Sequence, residues 1–185
     1  SKLMTRDGQG RNALMMLTIT AARSGEIRGM HWDEVHLFDA NVEKQRGFCG
    51  IWTIPTHRMK ANLEHRVQIT APMRELLEAT EARGGLVFPA ASGRMLSDMT
   101  LSALMKRIHL SDDGHFVDQR SQRPAVPHGL RSTFRDWVAE HGKSREAAEL
   151  QLAHRFGSAV EHAYYRADLI DERARLMMQW FSFLH

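Results

Sequence analysis

The sequence predicts an α+β domain, mainly α, that carries one small antiparallel β-sheet. Three observations lead there. From His128 to the C-terminus the chain reads almost wholly helical. Only two earlier segments, "GFCGIWTIP" (47–55) and "EHRVQIT" (64–70), have the β-branched and aromatic content or the alternation of strands. Neither repeats nor low-complexity tracts interrupt the 185 residues, a length that suits one domain.

Taken in order, the apolar run "RNALMMLTITAA" (11–22) reads as a buried helix. Ser24 is placed to cap a second, short helix in "SGEIRGMHW". The strand at 47–55 pairs with that at 64–70, and "THRMKANL" between them forms a hairpin turn bearing Lys60 and Asn62. Pro72 opens a helix that runs to about Arg83. "LVFP" (86–89) is a short buried piece, and "LSDMTLSALMKRI" (96–108) is a helix with Ser97 or Asp98 as its cap. The polar stretch 111–127, with a glycine and two prolines, is the longest loop. Helices follow over 128–141, 144–153, 158–166 and 169–184. The last has an apolar face around Met177, Trp180, Phe181 and Leu184, which must pack on its own domain or on a neighbour.

Composition removes several classes of function. A single cysteine, Cys49, rules out an internal disulfide and any cysteine-based zinc site. Eleven histidines occur, but none falls in a His-Glu-x-x-His pattern, so a zinc enzyme is not expected. No apolar run approaches the ~18 residues a membrane span needs, and the start, "SKLMTRDGQG", lacks signal-peptide character. A cytoplasmic location follows as the expectation. Without an initial Met, the chain reads as a fragment of a longer protein. A net charge of +3 leans toward polyanionic partners without naming DNA.

The polar residues can be weighed against one task, cleaving a phosphodiester without metal. That chemistry needs cations on the non-bridging oxygens, a nucleophile, and a proton for the leaving oxygen. Arginine suits the first job because its planar, permanently charged fork matches phosphate. Tyrosine can attack phosphorus and hold it covalently. Arg23, in "TAARSGEI", is either a phosphate ligand at a helix start or the ion-pair partner of Glu26. Lys60 is either a charged turn residue or a mobile proton donor. His128 and Arg131, three apart in "HGLRSTFRDW", share a helix face and form either a solvated pair or a phosphate site. His154, in "LAHRFGS", is either a structural helix-end histidine or a ligand. Tyr164 and Tyr165 are the only tyrosines, and adjacent helical positions point about 100° apart, so both cannot be equally buried.

Read together, the order Arg, Lys, His-x-x-Arg, His, Tyr resembles the tyrosine recombinases of the phage-integrase family, from about residue 11 to 184. The family's first box, Thr-Gly-x-Arg-x-x-Glu, stands here as "TAARSGE", with Arg23 and Glu26 matching and Ala21 in place of the usual glycine. The second box is "HGLRSTFRDW" and the third "LAHRFGSAVEHAYYRAD". "WTIPTHRMKANLEHRVQIT" is similar to the lysine-bearing hairpin, and "DLIDERARLMMQW" resembles the tail of integrases carried by prophages and genomic islands. The Ala-Tyr-x-Arg pattern of that branch falls on Ala163, Tyr164, Tyr165 and Arg166, which favours Tyr164 over Tyr165 as nucleophile.

The resemblance implies the family's catalytic-domain fold over residues 1–185, with the N-terminal DNA-binding domains outside the chain. It implies a site-specific recombinase working through a 3′-phosphotyrosyl intermediate, with no cofactor and no metal. Arg23 and Arg131 would clamp the phosphate, Lys60 would protonate the leaving 5′-oxygen, and His128 would take the tyrosine proton or position the phosphate. His154 would bond a phosphate oxygen, and Tyr164 would attack. Glu26 would hold the pocket together. Arg58, Arg66, Lys106 and Arg107, with His65, Arg120 and Arg123, would form a basic cradle for the DNA backbone. The implied partners are double-stranded DNA attachment sites, a homo-tetramer on paired sites (the isolated domain being a monomer) and a directionality factor. Three rivals are a type IB topoisomerase-like strand transferase, a non-catalytic DNA-binding regulator of the same fold, and a metal-dependent nuclease. For the last, Asp112-Asp113 is the only carboxylate pair on offer, and it is poor evidence.

Overall fold

The computed structural model describes residues 8–80, 84–111, 116–118, 121–154 and 168–185. Eight helices and three strands lie within them: α1 Gln9–Thr20, α2 Ser24–Arg28, β1 Val35–Leu37, α3 Ala40–Arg46, β2 Gly50–Ile54, β3 His65–Ile69, α4 Ala71–Glu78, α5 Asp98–Ser111, α6 Pro127–Glu140, α7 Arg145–Gln151 and α8 Ile170–Phe183. The mainly helical α+β architecture is as the sequence predicts.

Helix α1 is the hub. Ala13, Leu14, Met16, Leu17 and Ile19 are all buried along it, and it touches α2, α4, α5, α6 and α8. A helix apolar on most sides belongs inside a core. Helix α6 starts with Pro127 in its first turn, where the missing N–H costs nothing. It buries Arg131, Phe134, Trp137 and Val138, one face at helical spacing. Trp180 of α8 packs edge-on against Phe134 at 5.5 Å and against Trp137 at 5.3 Å, and its indole N–H donates to the Thr18 carbonyl of α1 (2.8 Å). The C-terminal apolar face therefore docks on its own domain, with Met177 and Trp180 fully buried.

The sheet is antiparallel in the order β1-β2-β3, with Trp52 opposite Val35 on one side and Val67 on the other. It has one strand more than the sequence predicts. Strand β1 is three residues long, too short for alternation to be read. Its approach is nevertheless marked by Gly50: a Cβ there would lie 2.3 Å from the His36 carbonyl oxygen, so only glycine fits.

Other boundaries also differ from expectation. Helix α3 has signals at both ends: Asp39 accepts from the N–H groups of Asn41 (2.8 Å) and Val42 (3.0 Å), and Gly47 closes it at φ 76. Helix α4 stops at Glu78 rather than near Arg83. Ser24 is the first residue of α2 and not its cap; Arg23 occupies the cap position. The helix expected over 158–166 lies outside the described residues.

Candidate active site

Two alanines with left-handed backbone build the centre of the site. Ala21 (φ 52) ends α1, and Ala153 (φ 49) follows α7. Each turn aims a carbonyl at an arginine from another part of the chain. Ala21 accepts from Arg131, whose second terminal nitrogen donates to the Leu152 carbonyl (2.7 Å). Ala153 accepts from Arg23 (3.4 Å). Left-handed backbone in a residue with a Cβ costs about 1–2 kcal/mol. Two such residues at one place mark a position where the surroundings over-determine the conformation.

Arg23 caps α2 and is tied to it twice. Its backbone N–H donates to Glu26 Oε2 and its guanidinium to Glu26 Oε1, each at 2.8 Å. The ion-pair and phosphate-ligand readings of Arg23 are therefore compatible, because Glu26 is buried while Arg23 keeps about 30% of its side chain exposed. Arg131 is only 4% exposed. Burial, and then the positive charge of Arg23, lower its pKa from the ordinary arginine value to about 10, so it stays charged at neutral pH.

His154 completes the cluster. Its Nε2 lies 3.3 Å from the Arg131 guanidinium and its Nδ1 lies 2.7 Å from Glu149 Oε2. Glu149 is buried, and its other oxygen is ion-paired with Arg135 Nε (2.8 Å). At the base of the β2–β3 hairpin, half-buried His65 is lowered to about 3, by burial first and then by the charge of Arg173, with smaller contributions from Arg23 and Arg131. It is a neutral imidazole beside the site and cannot act as the cradle cation the sequence suggests. Arg173, fully buried, donates to Gln151 Oε1 (3.0 Å), the Asp168 carbonyl (3.2 Å) and the Arg66 carbonyl (2.6 Å), joining α8, α7 and β3. Gln151 in turn donates to the Thr20 carbonyl (2.8 Å), one residue before the Ala21 turn.

Of the six expected catalytic residues, the structure brings together Arg23, Arg131 and His154. Lys60 stands exposed on the connection between β2 and β3, and His128 is exposed in the first turn of α6. Neither forms a hydrogen bond or ion pair with the arginine cluster. Tyr164 and Tyr165 lie outside the described residues, as does Arg120. In the expected cradle, Lys106 and Arg107 on α5 and Arg123 are exposed. Arg66 is half-exposed and pairs with Asp168 at 2.5 Å. Arg58 is a correction. It pairs with half-buried Glu34 and donates to the Glu26 carbonyl (2.6 Å), with only 15% of its side chain exposed. It is an internal strut under α2, its charge engaged by Glu34 rather than standing free at the surface as the sequence suggests. Among the described residues no three His, Cys, Asp or Glu side chains cluster as metal ligands, and no helix is long and apolar enough to cross a membrane.

The arginine cluster draws on three distant parts of the chain, and comparison with known proteins covers all three at once. The family model described as "Phage integrase family" matches residues 3–169. The chain belongs to the phage integrase family. Among similar proteins are prophage integrases IntA and IntZ of Escherichia coli (strain K12), each 31% identical, over 90% and 96% of this chain but only 36% and 40% of their own lengths. The integrase of Enterobacteria phage P4 is 28% identical over 93% of this chain and 39% of its own. The chain thus spans about two fifths of the length of these relatives. A solved structure of similar fold is the XerH site-specific recombinase bound to difH substrate in a pre-cleavage complex. Its TM-score is 0.58 at 17% identity, covering 85% of this chain and 45% of that one.

Membership explains why the box residues converge, but the integrase boxes do not name everything at the site. Glu149 bonds His154, and Arg173 and Gln151 link α8 to the Thr20 carbonyl beside the Ala21 turn. Glu149 had a readable signal, a carboxylate five residues before His154 at the end of a helix. Arg173 had none, since an arginine in an amphipathic helix reads as a solvated charge.

Proposed function

We propose that this chain is the catalytic domain of a site-specific DNA recombinase that integrates or excises a mobile element. The observation that carries the reading is the meeting of Arg23 and Arg131, 108 positions apart, beside His154, with both arginines held by backbone carbonyls. The carbonyls orient Arg131 without cancelling its charge, and Arg23, although paired with Glu26, keeps about 30% of its side chain exposed, so donors of both remain available to an anion. A phosphate seated there would receive charge-assisted bonds from both arginines, and these strengthen as negative charge builds in the transition state.

In this reading Tyr164 Oη attacks the scissile phosphorus as His128 takes its proton. The bond to the 5′-oxygen breaks, Lys60 supplies the proton to that oxygen, and a 3′-phosphotyrosyl link remains. The 5′-hydroxyl of a partner strand reverses the step. No ATP is consumed, because the link conserves the phosphodiester. Lys60 is exposed on the hairpin whose base, at His65, borders the cluster, a placement suited to a residue brought in by bound DNA. The domain would act on duplex attachment sites, as a tetramer across paired sites and a monomer alone, with a directionality factor, in the bacterial cytoplasm at the nucleoid. Exposed Lys106, Arg107 and Arg123 would meet the DNA backbone.

The experiment is covalent trapping on a suicide duplex carrying the element's own attachment junction. The expected result is a protein–DNA adduct that Tyr164→Phe abolishes. An adduct that survives this change transfers the nucleophile to Tyr165; no adduct from the unaltered protein sinks the proposal.

A further inference from the structure

We infer that Glu149, clamped by Arg135, is the positioning residue that fixes the tautomer and orientation of His154. This rests on the reading of His154 as a phosphate ligand and adds a group outside the integrase boxes. The geometry is a closed chain of four side chains. Arg135 Nε forms an ion pair with Glu149 Oε1 (2.8 Å), His154 Nδ1 lies 2.7 Å from Glu149 Oε2, and His154 Nε2 lies 3.3 Å from Arg131. Arg131 and Arg135 are one turn apart on α6, so both ends of the chain return to one rigid helix.

The chemistry follows from what each atom can do. An ionised carboxylate only accepts hydrogen bonds, so the Nδ1 facing Glu149 must carry the proton. In the neutral ring Nε2 is then bare, and it can accept from Arg131. The same nitrogen is the one left to meet substrate, and with a second proton it donates to a phosphate oxygen. Without Glu149 the ring could flip, or carry its single proton on Nε2, and would then confront the Arg131 donors with a donor. Glu149 is 5% exposed, and its two oxygens have one partner each, His154 and Arg135. The side chain has no freedom to serve elsewhere. The backbone supports the same arrangement: the His154 N–H donates to the Glu149 carbonyl (3.0 Å), closing the end of α7 so that both side chains emerge together.

The test reads the ring directly and then its consequence. Nitrogen-15 spectra of the histidine side chains, assigned with His154→Ala, should show a protonated Nδ1 and an unprotonated Nε2 at His154. Glu149→Gln should abolish that signature. In the trapping assay it should slow adduct formation by about 10–100-fold, the usual size of losing a group that orients a functional histidine. In a His154→Ala background the same change should cost nothing further, which a merely structural role would not produce. An unchanged Nδ1–H signature in Glu149→Gln overturns the inference, and so do additive losses in the double variant. Should Glu149→Gln fold poorly, Arg135→Ala, on the exposed side of the pair, should weaken the signature and slow trapping several-fold; no change in either counts against the inference. Failure of the underlying reading looks different: His154→Ala would form adduct at the parent rate while the tautomer still depended on Glu149.

Discussion

Arg131 and Arg173 are both withdrawn from solvent, at 4% and 1% exposed, and in both burial lowers the pKa to about 10. Both are held by backbone carbonyls. Their surroundings separate them. Every named donor group of Arg173 ends on the protein, on Gln151, Asp168 and Arg66, so its charge is consumed in joining three elements. Arg131 makes no ion pair among the described residues, and its nearest charged neighbour by effect is another cation, Arg23. Burial of a guanidinium thus does not by itself distinguish a strut from a ligand site. The bonded donors do: Nε, Nη1 and Nη2 of Arg173 all end on protein oxygens, whereas Arg131 spends only Nη1 and Nη2 in its named bonds and lies beside Arg23, whose side chain is about 30% exposed.

The sharpest way to break this comparison is to remove each arginine and ask what is lost. Arg131→Ala should cut adduct formation on the order of 10²–10³-fold, the size expected for one oxyanion-stabilising donor. Duplex affinity, measured by titration at fixed salt, should change far less. Equal losses in both would make Arg131 a binder only. Arg173→Ala should reverse the pattern. It leaves the Asp168 and Arg66 carbonyls and Gln151 Oε1 without their donor, so urea unfolding should report roughly 2–4 kcal/mol of lost stability. Adduct formation per folded molecule should survive better than in Arg131→Ala. If it does not, Arg173 belongs to the site and the contrast fails.

The next effect is a pH dependence at His65, imposed by burial first and then by the charge of Arg173, with Arg131 a smaller contributor. Its ordinary pKa is 6.5, and in the fold it is lowered to about 3. Below pH 6.5 the unfolded chain takes up a proton that the folded chain refuses. Stability therefore falls as the pH drops from about 6.5 toward 3, by up to about 1.4 kcal/mol per pH unit for a fully withdrawn group and less for this half-buried one. Urea midpoints at pH 7 and pH 5 measure the loss, and His65→Gln should shrink it. An unchanged pH slope would mean that His65 is not the group whose proton uptake the fold suppresses.

The same contrast explains what could be read from sequence. Arg131 is legible because its type, its spacing from His128 and its order after Arg23 recur as a pattern. The hub helix and the aromatic core are legible because apolar periodicity is local. Arg173 matters through Gln151 and Arg66, 22 and 107 residues away, and Glu149 through Arg135, 14 residues away on another helix, and through a turn whose shape only the fold specifies. Arg58 misled for the same reason. A basic residue beside a hairpin reads as surface charge, and only the tertiary structure places Glu34 and the Glu26 carbonyl around it. Strand β1 was hidden by its length, while Gly50, which permits it, stood in plain sight.

The smallest effect is expected at Ala21, where the sequence departs from the glycine of the family pattern. Its left-handed backbone (φ 52) costs about 1–2 kcal/mol relative to glycine. Against that, its methyl group is 1% exposed, and burying a group of that size contributes roughly 0.8 kcal/mol. Alanine also restrains the unfolded chain more than glycine does, by ~0.4–1 kcal/mol. The terms nearly cancel, so Ala21→Gly should move stability by less than about 1 kcal/mol, a change of a few degrees in Tm. Adduct formation should stay close to the parent rate, because the carbonyl that orients Arg131 belongs to the backbone and persists. Ala21→Val adds a branched side chain to the same left-handed turn, and it should lose both stability and adduct formation. If Ala21→Gly instead lost activity like Arg131→Ala, the buried methyl, and not the turn's shape, would be what holds Arg131 in place.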